Sequence, residues 1–233
     1  MNNKAHVCTR AEVEEGLKHL PSYCEQWTAK EFNEALKKAP DNNYLICRMA
    51  KYSYYAGAVK ESIELYEKLL PKVPECTAAR YQLGLSYYRS GKLLEAESSF
   101  LGVLEIDPNF AMAYHRLGLT YYHLGKKEKA IQAYQKCLEK SPESMIVLFD
   151  LSIIYSALGK FKDAVKVLER LTKAFPQDPA AHYQLGMALS QLDNDKEALK
   201  CFQKAVEIDP DDDRSRRMCE VLVELAKQSE GPV

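Results

Sequence analysis

The sequence predicts an all-α array of repeated helix hairpins, on three observations that share one period. Proline recurs in steps of 34 at Pro40, Pro74, Pro108, Pro142, Pro176 and Pro210. Glycine recurs with the same step at Gly57, Gly91, Gly125 and Gly159, and Asp193 takes the next such place. A large side chain stands eight residues before each proline, at Phe32, Tyr66, Phe100, Tyr134, Leu168 and Phe202. The stretch 111–144 shows the unit whole: helix, tight turn, helix, proline stop.

Each recurring residue has a physical reason. Counting a unit from position 1 to position 34, glycine at position 15 supplies the left-handed residue that ends the first helix. Proline at position 32 cannot continue the second helix and separates the units. Positions 8 and 20 hold small pairs: Gly16/Thr28, Ala50/Ser62, Gly84/Ala96, Gly118/Ala130, Ser152/Ala164 and Gly186/Ala198. Small residues let the two helix backbones approach, and the bulky residue at position 24 fills the space beside them. Position 7 adds Met49, Leu83, Leu117, Leu151 and Leu185 to the same core.

A 34-residue period with this pattern resembles the tetratricopeptide repeat family. The resemblance runs over residues 9–212. It implies a right-handed α-solenoid of antiparallel hairpins with a concave groove lined by the first helices, and a role in binding proteins rather than in catalysis.

In chain order, residues 1–8 read as a flexible N-terminus. Residues 9–42 form a degenerate first unit. Thr9 with Glu12 and Thr28 with Glu31 have capping-box spacing, so two helices are expected there. Glu12, Glu15 and His19 replace core residues, Pro21 ends the first helix, and the turn to Trp27 is irregular. Such a unit suits an N-terminal cap or, alternatively, a docking surface. The regular units are 43–76, 77–110, 111–144, 145–178 and 179–212. Pro71 should shorten or kink its helix, and Pro179 suits the first position of one. Residues 213–228 are expected to form a capping helix, with acidic residues at its start favoured by the helix dipole. Met218, Val221, Leu222 and Leu225 lie at helical spacing in it, and residues 229–233 form a tail.

Composition narrows the function. A net charge of −1 and a pI near 6.5 argue against a general nucleic-acid binder or a binder of anionic membranes. The absence of a long apolar run argues against membrane insertion, and the N-terminus lacks the apolar core of a signal peptide. Seven scattered cysteines (Cys8, Cys24, Cys47, Cys76, Cys137, Cys201 and Cys219) without a CxxC pair read as reduced thiols of a cytoplasmic protein.

No catalytic or cofactor motif stands. The stretch from Gly84 to Lys92 imitates a phosphate loop, but has the wrong glycine spacing and no hydroxyl residue after the lysine. The histidines lack zinc spacing, and no nucleophile signature occurs. Asp209 to Asp213 lacks the glycine and glutamate of a calcium loop. No enzyme activity, cofactor or metal is expected.

The groove is read from the helical wheel, each residue turning about 100°. Positions 4, 7, 8 and 11 of the first helix share the inner side, and positions 2, 5, 6, 9, 12 and 13 share the opposite one. The second set contains Tyr54, Tyr88 and Tyr122, all at position 12, as a ladder. Beside them stand Arg48, Lys51, Tyr81, Arg89, His115, Arg116 and His123, and later units add Phe149, Ile153, Tyr183 and Met187. Aromatic and arginine side chains concentrate binding energy at interfaces. The expected peptide-binding groove is therefore Arg48, Lys51, Tyr54, Tyr81, Tyr88, Arg89, His115, Arg116, Tyr122, Phe149 and Tyr183. Its expected occupant is a protein segment acidic in one part and apolar in another. The family's carboxylate clamp for heat-shock proteins is incomplete, because no asparagine stands at the groove positions of units 77–110 and 111–144. The reading is thus a non-enzymatic adaptor. The alternative is a structural subunit that self-associates, as a homo-oligomer, or docks through its terminal repeats.

Overall fold

The computed structural model describes residues 28–229. Expectations for Thr9, Pro21, Trp27, the first helix of the degenerate unit and the extreme tail fall outside them. Among the described residues there are twelve α-helices and no strand. They are α1 (Ala29–Lys38), α2 (Asn43–Tyr55), α3 (Val59–Leu69), α4 (Thr77–Arg89), α5 (Leu93–Ile106), α6 (Ala111–His123) and α7 (Lys127–Lys140). These are followed by α8 (Met145–Ala157), α9 (Phe161–Ala174), α10 (Pro179–Ser190), α11 (Asp195–Ile208) and α12 (Asp213–Ser229). Two compact units divide the chain, meeting within α7 between Ala133 and Tyr134.

Local chemistry sets the helix ends. Thr28 caps α1 with the expected reciprocal box: its backbone N–H donates to Glu31 Oε2 at 2.7 Å, and its hydroxyl accepts from the Glu31 N–H. The turns between paired helices carry positive φ at Gly57, Gly91, Gly125 and Gly159. Asp193 adopts φ 58 at the corresponding turn, the single non-glycine to do so among the described residues. Pro71 shortens α3, which ends at Leu69 with Leu70 as its C-cap. Pro179 opens α10, and the Asp178 side chain accepts from the Ala180 N–H at 3.0 Å.

In the first unit, α2 packs on α3, α3 on α4, α4 on α5, and α5 on α6. The first helices also touch one another, α2 with α4 and α4 with α6, so they line one face. The core is the one the small pairs build. Ala50, Ser62, Ala96 and Ala130 are fully buried, as are Tyr66 and Phe100. A Cβ on Gly84 would lie 2.7 Å from the Phe100 ring, so the glycine makes the space that the ring occupies. Ser62 and Ser86 hydroxyls share a buried hydrogen bond of 3.0 Å between neighbouring repeats.

In the second unit, α8 packs on α9, α9 on α10, α10 on α11, and α11 on α12. Gly186 and Phe202 repeat the glycine–ring contact, at 2.8 Å. The capping helix differs from expectation in its apolar face. Leu222 is buried and Met218 half-buried, but Val221 and Leu225 are exposed. α12 packs chiefly on α11 and so by one side, and residues around the rest of the wheel meet solvent.

Candidate functional site

The exposed face of α2, α4 and α6 is chemically unlike the rest of the first unit. These three helices contain no aspartate or glutamate, and they carry Arg48, Lys51, Arg80, Arg89 and Arg116. The second helices α3 and α5 carry Glu61, Glu64, Glu67, Glu95, Glu97 and Glu105. α3 also holds Lys60 and Lys68, so it is the acidic side chains that are sorted by helix: none falls on these three first helices.

Neighbouring repeats meet in a staggered register, one position offset. Arg89 donates to the Tyr54 carbonyl oxygen at 2.7 Å, and its guanidinium lies 5.2 Å from the Tyr54 ring centroid. Tyr88 meets His123 edge-on at 5.6 Å. Arg116 Nε donates to the Tyr81 hydroxyl at 3.4 Å. Each contact joins a residue to the one 35 positions later, so the tyrosine ladder at position 12 is filled between its rungs by position 13. Tyr122 also meets His123, at 5.5 Å, and Tyr55 meets Tyr54, at 5.3 Å.

Exposure sorts the expected groove residues. Tyr122, Lys51 and Arg89 are exposed, and Arg48, Tyr54, Tyr88 and Arg116 are half-buried. Tyr81 and His115 are not on the surface: they are 9% and 6% exposed. Position 5 is the correction to the wheel. Tyr81 packs against Phe100 at 5.8 Å and Phe110 at 5.2 Å, because the linker entering the next repeat folds over it. Arg48 and Lys51 have no ion-pair partner among the described residues, and Arg89 and Arg116 meet no carboxylate.

In the second unit the first helices present a different surface. On α8, Ile146 is 63% exposed, Ile153 is exposed and Phe149 half-buried. Tyr183 of α10 packs on Phe202 at 5.7 Å, and the Arg214 guanidinium covers its ring at 5.0 Å.

A second tyrosine series escaped sequence reading. Tyr87 donates to Glu67 Oε1 at 2.6 Å, and Gln135 donates to the Tyr155 hydroxyl at 3.2 Å. Burial and the adjacent carboxylate push the Tyr87 phenol well above its usual range. Lys92 lies 5.7 Å over the Tyr87 ring, and Lys126 and Lys129 each lie 5.6 Å over Tyr121. These position-11 tyrosines tie each first helix to the helix before it. The signal was available as the step Tyr87, Tyr121, Tyr155, but a core position hides a polar role.

Cys47, Cys76, Cys137, Cys201 and Cys219 are thiols, and burial pushes Cys201 up to about 11. Among the described residues no three His, Cys, Asp or Glu side chains gather as a metal site, and no helix is long and apolar enough to cross a membrane.

Family models of the tetratricopeptide repeat match residues 47–110, 111–144 and 149–213. The chain belongs to this family, and its fold is of the all-α solenoid class. No curated protein matches it in sequence. Among solved structures it is similar to MamA, with a TM-score of 0.68 at 23% identity over 72% of this chain and 92% of that one. MamA from Desulfovibrio magneticus RS-1 gives 0.67 at 19%, over 74% and 98%. YrrB, described as a TPR protein with an unusual peptide-binding site, gives 0.66 at 20%, over 86% and 100%. At these identities the likeness is one of fold. The family is typically a non-enzymatic scaffold for protein–protein interaction.

Proposed function

We propose that the protein is a non-enzymatic cytoplasmic adaptor that holds a segment of a partner protein on the first-helix face of its repeats. The repeat boundaries are those of the 34-residue period. The contact residues are Arg48, Lys51, Tyr54, Tyr88, Arg89, Arg116 and Tyr122, with Tyr81 and His115 supporting them from beneath. The partner segment is acidic where it meets them. A more apolar stretch of it meets Phe149 and Tyr183 with Ile146 and Ile153. The observation that carries this reading is the sorting of charge: three adjacent helices hold cations and tyrosines without one acidic side chain to neutralise them. A solvated structural face has no packing need for that composition.

The test compares wild type with a Tyr54→Ala, Tyr88→Ala, Tyr122→Ala triple variant in pull-downs, with circular dichroism confirming retained helix. A partner captured by wild type and lost by the variant supports the groove. Partners held equally by both overturn it.

One observation favours a second reading. Val221, Val223 and Leu225 are exposed on α12, a surface through which the chain could self-associate or dock by its terminal repeat. Sedimentation of wild type and Leu225→Lys at matched concentrations decides it: an assembly that dissociates in the variant supports docking through α12, and two unchanged monomers remove it.

A further inference from the structure

Position 6 of the first unit's three first helices carries Arg48, Gln82 and Arg116 in a row. We infer that this row selects an extended partner segment with two acidic residues about five or six positions apart, one bound by Arg48 and the other by Arg116. Gln82 hydrogen-bonds the segment's main chain between them. The inference rests on the groove reading above and goes further, by stating the spacing and conformation of the occupant.

The spacing follows from packing. Because α2 touches α4 and α4 touches α6, Arg48 and Arg116 are separated by two inter-helix steps. Packed helices lie ~8–10 Å apart, so the two steps span ~16–20 Å. An extended chain advances ~3.3 Å per residue and covers that span in about five or six residues. A helix advances ~1.5 Å per residue and needs about eleven to thirteen.

The side chains are available for the task. Arg48 is half-buried without an ion-pair partner among the described residues, a state that an incoming carboxylate relieves. Arg116 uses Nε on the Tyr81 hydroxyl and meets no carboxylate there. Lys51 and Arg89 add positive field on either side.

Gln82 favours an extended occupant. Its Oε1 is buried with no hydrogen-bond partner, while the residue as a whole is half-exposed. No hydrogen bond to that oxygen holds the carboxamide where it lies, and rotation about the side chain's bonds turns it outward. An extended segment brings main-chain N–H and C=O groups in need of partners, whereas a helix has bonded its own. Tyr54, Tyr88 and Tyr122 offer rings for the intervening side chains.

Fluorescence anisotropy on the full chain tests this with labelled peptides of one composition. Each carries two glutamates in a glycine, serine and threonine background, placed ~2, ~6 or ~12 positions apart. The expected result is tightest binding of the ~6 peptide, about tenfold over the ~2 peptide. Arg48→Gln and Arg116→Gln should each abolish that preference, and Gln82→Leu should weaken the ~6 peptide several-fold. Tightest binding of the ~12 peptide would mean a helical occupant and overturns the inference. Equal binding of all three would mean a diffuse field and overturns it too, as would no binding by any. If spacing fails while the tyrosine triple variant still loses its partner, the groove reading stands alone. If the triple variant keeps its partners, the groove reading itself falls.

Discussion

The carbonyl of the proline that ends a repeat takes a donor from one of two places. Lys68 and Arg170, both at position 26, reach Pro40 O at 3.3 Å and Pro142 O at 3.0 Å. In the 77–110 repeat that position is Gly102, and Arg80 from position 4 donates to Pro74 O instead, at 2.8 Å. His182, with Pro176 O at 3.0 Å, and Arg216, with Pro210 O, make the position-4 contact as well. Gly102 leaves room for the exchange, since a Cβ there would lie 3.0 Å from Arg80 Cδ. The two residues should therefore be coupled. Arg80→Leu alone is expected to cost about 1 kcal/mol. Gly102→Lys should gain up to ~1 kcal/mol from helix propensity, but only with Arg80 gone, giving a coupling above ~0.5 kcal/mol in a urea-denaturation cycle. Gly84 tells the opposite story. Gly84→Ala drives a methyl into the fully buried Phe100 ring and should destabilise by about 1–3 kcal/mol, despite alanine's better propensity, in the same assay. Gly84 was legible because every repeat holds a small residue there. Arg80 was not, because its role depends on which residue stands on another helix.

At the scale of the element, helix ends were the most legible feature and helix faces the least. The Thr28 box, the Pro179 start, the Pro71 truncation and the Asp193 turn follow from rules that concern a few adjacent residues. Faces depend on neighbours: Tyr81 is covered by the linker carrying Phe110, and Val221 is bare because α12 packs chiefly on α11 and so by one side. The start of α12 yields a pH prediction. Asp212 accepts from the Arg214 N–H at 3.2 Å and from the Ser215 hydroxyl at 2.6 Å. Burial opposes its charge, yet those bonds and the Arg214 guanidinium outweigh burial, and the carboxyl titrates below its ordinary range. A carboxyl with a depressed folded pKa stabilises above its unfolded value and loses that contribution as pH falls through the folded one. Below about pH 4, wild type should lose urea stability more steeply than Asp212→Asn, which keeps a cap acceptor without the charge. Parallel slopes for the two proteins would show that Asp212 contributes no proton linkage.

At the scale of the whole molecule, an average concealed the charge pattern. The net charge of −1 describes a chain with 32 basic and 33 acidic side chains, and it argues against strong attraction for any polyanion. The repeat undoes the average. In the first unit the first helices α2, α4 and α6 line one face, so a residue's helix decides which field it joins. Arg48, Lys51, Arg89 and Arg116 fall on α2, α4 and α6, which hold no acidic residue, while α3 and α5 hold six glutamates. The sorting is readable once the unit is aligned to itself, and the cations were found that way. Their lack of partners was not readable, because it depends on other helices: Glu97 on α5 takes Lys126, at 2.7 Å, and among the described residues no carboxylate reaches Arg48, Lys51, Arg89 or Arg116. Salt separates the two scales. At ~0.01 M ionic strength the Debye length is about 30 Å, and the whole chain's near-zero charge acts on an approaching ligand together with the local face. At ~1 M it is about 3 Å, and only direct contacts remain. An acidic peptide held by the cationic face should therefore weaken steadily across that range, while an apolar peptide without charge should bind equally or more tightly at high salt. The same titration on Arg48→Gln with Arg116→Gln should flatten the acidic peptide's salt dependence without altering the apolar peptide's. A steep dependence surviving in that double variant would place the attraction on Lys51, Arg89 or the remaining surface, and not on the position-6 row.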